Sequence, residues 1–361
     1  MSVLTSDRHS QARRRARGQL SARTATWTMR AAAVAVASCF AGGAFSNPTG
    51  PAVVSGTATI QSQGNLLSIT NSPNAIINWQ SFSIGANEIT RFIQQGASSA
   101  VLNRVVGQDP SAILGALQSN GRVFLINPNG IAFGPNAMID VAGLVASTLN
   151  MADADFLAGR LKFQQTLGAG GISNQGSIVT PAGGQIYLIA PNIENSGLIR
   201  SPQGEIILAA GQSVELVDAG TPNLRVQITA PDNQAVNLGQ IVADSGRVGV
   251  YAGLISNAGT VSADTVAVGE QGQIIFRASQ NIALEDGSRI SASGAPGGAH
   301  DGGEVRLIAE NTLDVKPGSQ VRVDGGADGG HGGFLEVSGK QNIALNGQYT
   351  GRAQQPGYRG G

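Results

Sequence analysis

The chain has 361 residues, 51 of them Gly, with 13% charged and 4% aromatic residues, and its 23 basic and 23 acidic side chains cancel. Glycine at this level without an every-third-residue period excludes a collagen-type fold; with many Val and Ile it favours short strands and tight turns over long helices. Seven basic residues and one acid lie within residues 1–46, so the remainder carries 16 basic against 22 acidic residues, which gives it no electrostatic reason to bind nucleic acid or anionic lipid.

The basic head has the three parts of a secretory signal. Arg13 to Arg17 and Arg23 to Arg30 form a positive n-region, residues 31–40 an apolar run too short to span a bilayer, and Ala44-Phe45-Ser46 a small-residue cleavage site before Asn47. Residues 1–46 are therefore expected to be a signal peptide. The competing reading is lipidation at Cys39, because Val36-Ala37-Ser38-Cys39 passes as a loose lipobox. Cys39 is the single cysteine, so the mature chain is expected to rely on burial rather than disulfides.

After Asn47, residues 66–70, 75–79, 81–84 and 89–93 read as strands. Asp109-Pro110 followed by residues 111–117 suits one helical turn, with Asp as N-cap and Pro at the first helical position. Residues 123–126 read as a strand closed by the turn Asn127-Pro128-Asn129-Gly130, where Pro presets φ and Gly relieves the steric demand before the next strand. Residues 153–161 have the spacing and capping of a short helix.

Beyond Gly168 two phrases alternate. The Gly-led strand of Gly121-Arg-Val-Phe-Leu-Ile returns at Gly184, Gly204, Gly246, Gly272, Gly303 and Gly333. The second phrase is Ile172-Ser-Asn-Gln-Gly, repeated as Ile193-Glu-Asn-Ser-Gly and Ile255-Ser-Asn-Ala-Gly, with looser copies at Val236 and Ile282. A strand-and-turn unit recurring about every 20–30 residues indicates a solenoid. Stacked at roughly 4.8 Å, the copies predict an all-β fold of parallel β-helix coils, with aligned Ile, Leu and Val inside and aligned Asn in side-chain ladders at the turns. Residues 215–234, 294–303 and 325–333 break the spacing and are expected to loop out.

Several ordered motifs carry a family resemblance. Asn47-Pro-Thr-Gly-Pro, Ile77-Asn-Trp-Gln-Ser-Phe-Ser-Ile-Gly, Leu102-Asn-Arg-Val-Val-Gly-Gln-Asp-Pro, Val123-Phe-Leu-Ile-Asn-Pro-Asn-Gly-Ile and Gly143-Leu-Val-Ala-Ser-Thr-Leu-Asn follow in family order. The chain resembles the amino-terminal secretion domain of filamentous haemagglutinin-type exoproteins, the passengers of two-partner secretion systems. The resemblance implies a right-handed parallel β-helix with an N-terminal cap and short extra-helical insertions, exported by Sec and then by a cognate outer-membrane transporter with periplasmic domains. It places a secretion domain at residues 47–165, with continuing coils and Gly-rich loops over 166–361. Asn127, Pro128, Asn129 and Gly130 match the family's secretion motif. A companion Asn-Pro-Asn-Leu motif has only a degenerate echo in Asn71-Ser72-Pro73-Asn74. The implied product is secreted or held at the cell surface, monomeric and adhesive, with a host-cell or surface receptor as its further partner.

The chemistry-bearing residues have bland alternatives. His300 and His331, beside Asp301 and Asp328, sit in corresponding places of successive coils, but solvated loops are favoured over a shared metal. A β-helix can house a carbohydrate-active lyase or hydrolase, yet Glu194, Glu205, Glu215, Asp244 and Asp264 are spread about one per repeat where such chemistry wants clustered carboxylates. Neither a Gly-x-Ser-x-Gly elbow nor a phosphate loop occurs. Enzyme activity, metal and cofactor are therefore not expected. Trp79, Phe82, Phe92, Phe124 and Phe133 are expected to plug the open end of the first coil, and Arg91 and Arg104 to be solvated surface or partner contacts. A self-transporting adhesin would need a membrane barrel of alternating strands, which the Gly- and Gln-rich final residues do not resemble.

Overall fold

The computed structural model describes residues 46–361 except 167, 219–223 and 267–268; the expected signal peptide, and Cys39 with it, falls outside the described residues up to Ser46. Among the described residues one sheet of 28 strands winds along the chain, and nearly all its pairings are parallel. Each coil visits three faces. Leu66–Asn71, Ile89–Ile93 and Ser177–Val179 belong to the first face, Ala75–Trp79, Ala100–Val105 and Gln185–Ala190 to the second, and Ser111–Ile113, Ile131–Phe133 and Ile172–Asn174 to the third. This is the parallel β-helix that the repeats predicted.

The register explains why the repeats have their spelling. On the third face Ile131, Ile172, Ile193, Ala235, Ile255, Ile282, Leu313 and Ile343 stand in one column. On the second, Val101, Val123, Leu144, Ile186, Ile206, Val248, Ile274, Val305 and Leu335 form another. Except for exposed Ile343 and half-buried Leu335 at the trailing end, these columns are buried in the central core. Each fully buried Ile or Leu contributes about 1.5–3 kcal/mol, so a coil of small aliphatics holds together without the aromatics a compact domain would use.

Buried Asn residues continue the column logic. Asn174 Nδ2 donates to Asn195 Oδ1 (2.8 Å), Asn195 Nδ2 to Asn237 Oδ1 (2.8 Å), and Asn237 Nδ2 to Asn257 Oδ1 (2.7 Å). The expected ladder is present. It ends where Phe133 precedes Asn174 and Leu284 follows Asn257 in the same column.

The leading coil is sealed by antiparallel strands. Ala52–Ser55 pairs with Ala75–Trp79, and Ala58–Gln63 forms a hairpin with Leu66–Asn71. Inside it Trp79 meets Phe82 edge-on at 5.7 Å, and Phe82 stacks with Phe92 at 6.4 Å. Trp79 Nε1 donates to Asn103 Oδ1 at 2.9 Å. Trp79, Phe82 and Phe92 thus fill the leading end as expected, whereas Phe133, also buried in the interior, lies further along the stack between Ile113 and Asn174. Phe124 is not in the interior: it faces outward and packs edge-on against Phe156 at 5.1 Å.

Two segments outside the coils cover that outward face. The helix Asp153–Leu157 forms within the stretch predicted for it, and Gly159, at φ +68°, turns the chain away. Within residues 215–234 the chain leaves the coil as expected, but not as an irregular loop. Ser213–Asp218 and Leu224–Thr229 instead make an antiparallel pair, to which Leu161–Gln164 adds a third strand. Phe163, Val214 and Leu216 from this sheet bury an apolar stripe of Ile76, Leu102, Phe124, Ile126, Tyr187, Ile189 and Ile207 on the second face.

The helical turn expected at residues 111–117 is also corrected. Ser111–Ile113 and the start of Ala116–Ile126 are strands. Local capping signals are worth about 1 kcal/mol, whereas Ile113 and Leu117 are fully buried in the coil interior and Ser111–Ile113 gains a parallel ladder with Ile131–Phe133. Residues 81–84 make isolated bridges, Ser81 to Thr49 and Ile84 to Ile113, rather than a strand. The Gly-rich stretches 294–303 and 325–333 leave the coil but stack on each other. Gly302 N–H donates to His331 O, Gly326 N–H to His300 O, and Asp301 and Asp328 carboxylates accept from His331 and Gly297 N–H groups.

Candidate secretion-motif turn

Asn127–Gly130 occupies the corner between the second and third faces, directly after Ala116–Ile126 and before Ile131–Phe133. Gly130 N–H donates to Asn127 O at 3.2 Å, closing a four-residue turn, and Gly130 sits at φ +125°, where a side chain would be strained. Asn127 is 0% exposed. Its Nδ2 donates to Asp109 O and to Ser111 Oγ, both at 3.0 Å, while its Oδ1 accepts from Asn129 N–H and Asn129 Nδ2, both at 3.0 Å. Every hydrogen-bonding position of that amide is filled.

Neighbouring coils clamp the turn from both sides. From the preceding corner, Gly107 O accepts from Asn129 Nδ2 at 3.0 Å, and Ser111 N–H donates to Gly130 O at 2.9 Å. From the following coil, Gly170 N–H donates to Pro128 O at 2.7 Å and Ile131 N–H to Gly171 O at 3.1 Å. Thr148 Oγ1 donates to Gly170 O at 2.7 Å, fastening that segment to the second face. In the folded protein Asn127 and Gly130 are buried, Pro128 is half-buried and Asn129 is exposed. The motif is held by the Ser111 hydroxyl and by backbone groups of Gly107, Asp109 and Gly170, with Thr148 bonding Gly170. Of these only Asp109 was singled out from sequence, and for a helix cap rather than for this role.

The degenerate echo at residues 71–74 lies on a different corner, between the first and second faces. Ser72 Oγ accepts from Thr57 N–H at 3.0 Å, Asn71 Nδ2 donates to Ser72 O at 2.9 Å, and Asn74 adopts φ +56°. The fold therefore does not unite the two motifs.

Other singled-out residues have local partners. Arg104 pairs with Asp153 at 2.6 Å and donates to Met151 O at 2.6 Å, tying the helix to the coil; Arg91 donates to Gln118 Oε1 at 2.9 Å. Glu205 accepts from Tyr187 OH at 2.6 Å and pairs with Arg247 at 3.2 Å, Glu215 with Lys162 at 2.9 Å, and Asp244 with Arg200 at 3.5 Å. Asp264 accepts from Ser291 Oγ and Ser293 N–H. Burial first, then the neighbouring Glu205 charge, pushes the Tyr187 hydroxyl well above the ordinary phenol range, so it remains a donor. His300 is 8% exposed, and His331 Nδ1 accepts from Arg359 N–H at 3.0 Å; among the described residues no three His, Cys, Asp or Glu side chains converge as a metal site.

Known proteins share this fold. The family model of the TPS secretion domain matches residues 44–292. The solved HMW1 secretion domain from Haemophilus influenzae superposes with a TM-score of 0.72 at 32% identity, over 84% of this chain and 99% of that one. Two curated Haemophilus influenzae proteins named heme/hemopexin-binding protein are similar: one is 34% identical over 172 residues, the other 40% identical over 100. Those alignments take in 45% and 27% of this chain but only 19% and 11% of the relatives, so the chain corresponds to a small part of their length. The chain belongs to the TPS secretion domain family, the secretion domain of filamentous haemagglutinin-type exoproteins of two-partner secretion systems.

Proposed function

We propose that this chain is a non-enzymatic exoprotein which, after cleavage behind Ser46, is recognised through Asn127–Gly130 by a two-partner-secretion outer-membrane transporter and released or held outside the cell as a monomeric adhesin. Residues 47–165 carry recognition and residues 166–361 continue the coil. The observation that carries this reading is the saturated, fully buried amide of Asn127. A folded turn offers a partner little of that side chain, whereas an unstacked chain offers all of it, so recognition precedes folding. Once outside, each coil buries its aliphatics on the one before, which disfavours backsliding and drives export. Low charge and extended strands also suit edge pairing with a transporter.

The test is co-expression with a cognate two-partner-secretion outer-membrane transporter, comparing wild type with Asn127→Ala and Asn129→Ala in culture fluid. Loss of export in variants that refold normally in vitro supports the motif reading; unchanged export removes it. A second reading of the downstream role comes from the curated relatives' name, capture of heme or hemopexin. Binding of hemin or hemopexin by the secreted chain, set against its adherence to cultured cells, separates the two.

A further inference from the structure

The turn at Asn127–Gly130 is built in two stages separated by about forty residues of chain. Its leading side is complete once the corner holding Gly107, Asp109 and Ser111 is in place. Its trailing side stays open until residues 168–171 cross over it, after the helix and the strand Leu161–Gln164 have left the coil. The crossing is close. A Cβ added to Gly170 would lie 2.5 Å from Asn129 O, 2.8 Å from Asn129 C and 2.9 Å from Gly130 Cα. Gly170 N–H takes the Pro128 carbonyl, and Gly171 O receives Ile131 N–H. The segment thus consumes the backbone groups on the motif's trailing face, which any partner gripping the open turn would use.

We propose that residues 168–171 are a release strap: their closure over the trailing face of the Asn127–Gly130 turn competes with the transporter for the same backbone groups and ends its hold on the chain. The inference rests on the motif reading above and adds its off-switch. A strap placed so far downstream ties release to emergence of a length of chain sufficient for the next coil. Gly at 170 is required because only a residue without Cβ can lie against the turn, and Thr148 latches the closed state through its bond to Gly170 O.

The test uses the mature chain unfolded in urea and diluted over the immobilised, purified periplasmic region of the transporter that exports it, with release followed as the chain refolds. Gly170→Val, whose side chain collides with Asn129, is expected to slow release tenfold or more. Thr148→Val, which removes one hydrogen bond, is expected to slow it about fivefold. Asn127→Ala and Asn129→Ala report on the motif itself. If they abolish capture while both strap variants release at the wild-type rate, the strap is overturned and the motif reading stands. If they leave capture unchanged, the motif reading fails and the strap falls with it. Should Gly170→Val not refold, as judged by circular dichroism, Thr148→Val decides alone.

Discussion

The Asn ladder permits a prediction in which chemistry is held constant and position alone varies. Asn195 lies mid-ladder: its Oδ1 accepts from Asn174 and its Nδ2 donates to Asn237. Asn195→Leu therefore strands two buried polar groups, Asn174 Nδ2 and Asn237 Oδ1. Asn257 is the last rung, accepting from Asn237 and standing beside Leu284 of the next coil. Asn257→Leu strands one group, Asn237 Nδ2, and extends an apolar column that Leu284, Val315 and Leu345 already continue. Leaving a buried donor or acceptor unmade costs about 1–3 kcal/mol. Asn195→Leu should accordingly cost about 2–6 kcal/mol and Asn257→Leu about 1–3 kcal/mol. Urea denaturation of the mature chain followed by circular dichroism reads the difference, provided the slopes agree so that midpoints compare like with like. Equal losses, or a larger loss for Asn257→Leu, would refute the view that the ladder stabilises through mutual satisfaction of its amides.

Three further outcomes follow from named contacts. Trp79→Ala should destabilise by about 3–5 kcal/mol, and Trp79→Phe by less but still measurably, because Asn103 Oδ1 loses its donor; thermal unfolding checks both. Arg104→Met should free the helix Asp153–Leu157, seen as faster amide exchange there with the coil amides unchanged, since Asp153 and Met151 O lose their cation. Tyr187 and Tyr251 are raised above 10.0 mainly by burial, and Tyr349 is pushed up to about 12 by the same cause. As pH climbs past the unfolded value near 10, the unfolded chain sheds these protons first, so stability present below that pH is lost above it. Tyr187→Phe should move the alkaline unfolding midpoint upward in a circular-dichroism titration.

What was legible in the sequence divides by range. The Ile-x-Asn-x-Gly phrase disclosed both the third-face column and the ladder, because a coil repeats its demands at every turn and writes them at the same place. Residues 111–117 misled for the opposite reason: Asp109-Pro110 is a genuine local signal, but burial of Ile113 and Leu117 is a decision taken by coils on either side. The sheet joining Leu161–Gln164 to Ser213–Asp218 spans about fifty residues with no local cue to the pairing, although alternation in Val214, Leu216, Val226 and Ile228 already had the period of strands. The motif turn was legible as a turn. Its clamps were not, since Gly107, Asp109 and Gly170 reach it only through the lengths of the corners before and after.

The capped leading coil sets the direction in which order spreads. The first coil is closed by antiparallel strands and by Trp79, Phe82 and Phe92, so its interior is covered before any later residue arrives. The coils between it and the last described one are each covered on the far side by the coil that follows. Ile282 and Leu313 are 1% and 0% exposed with a neighbour on both sides, whereas Ile343, next in that column, is 47% exposed with a neighbour on one. A coil gains most of its burial only when its successor stacks, and nucleating a coil without the capped first one would leave two uncovered faces instead of one. Ordering from the leading end is therefore the cheaper path at each step, and a chain emerging in that direction meets its folding partner as it appears.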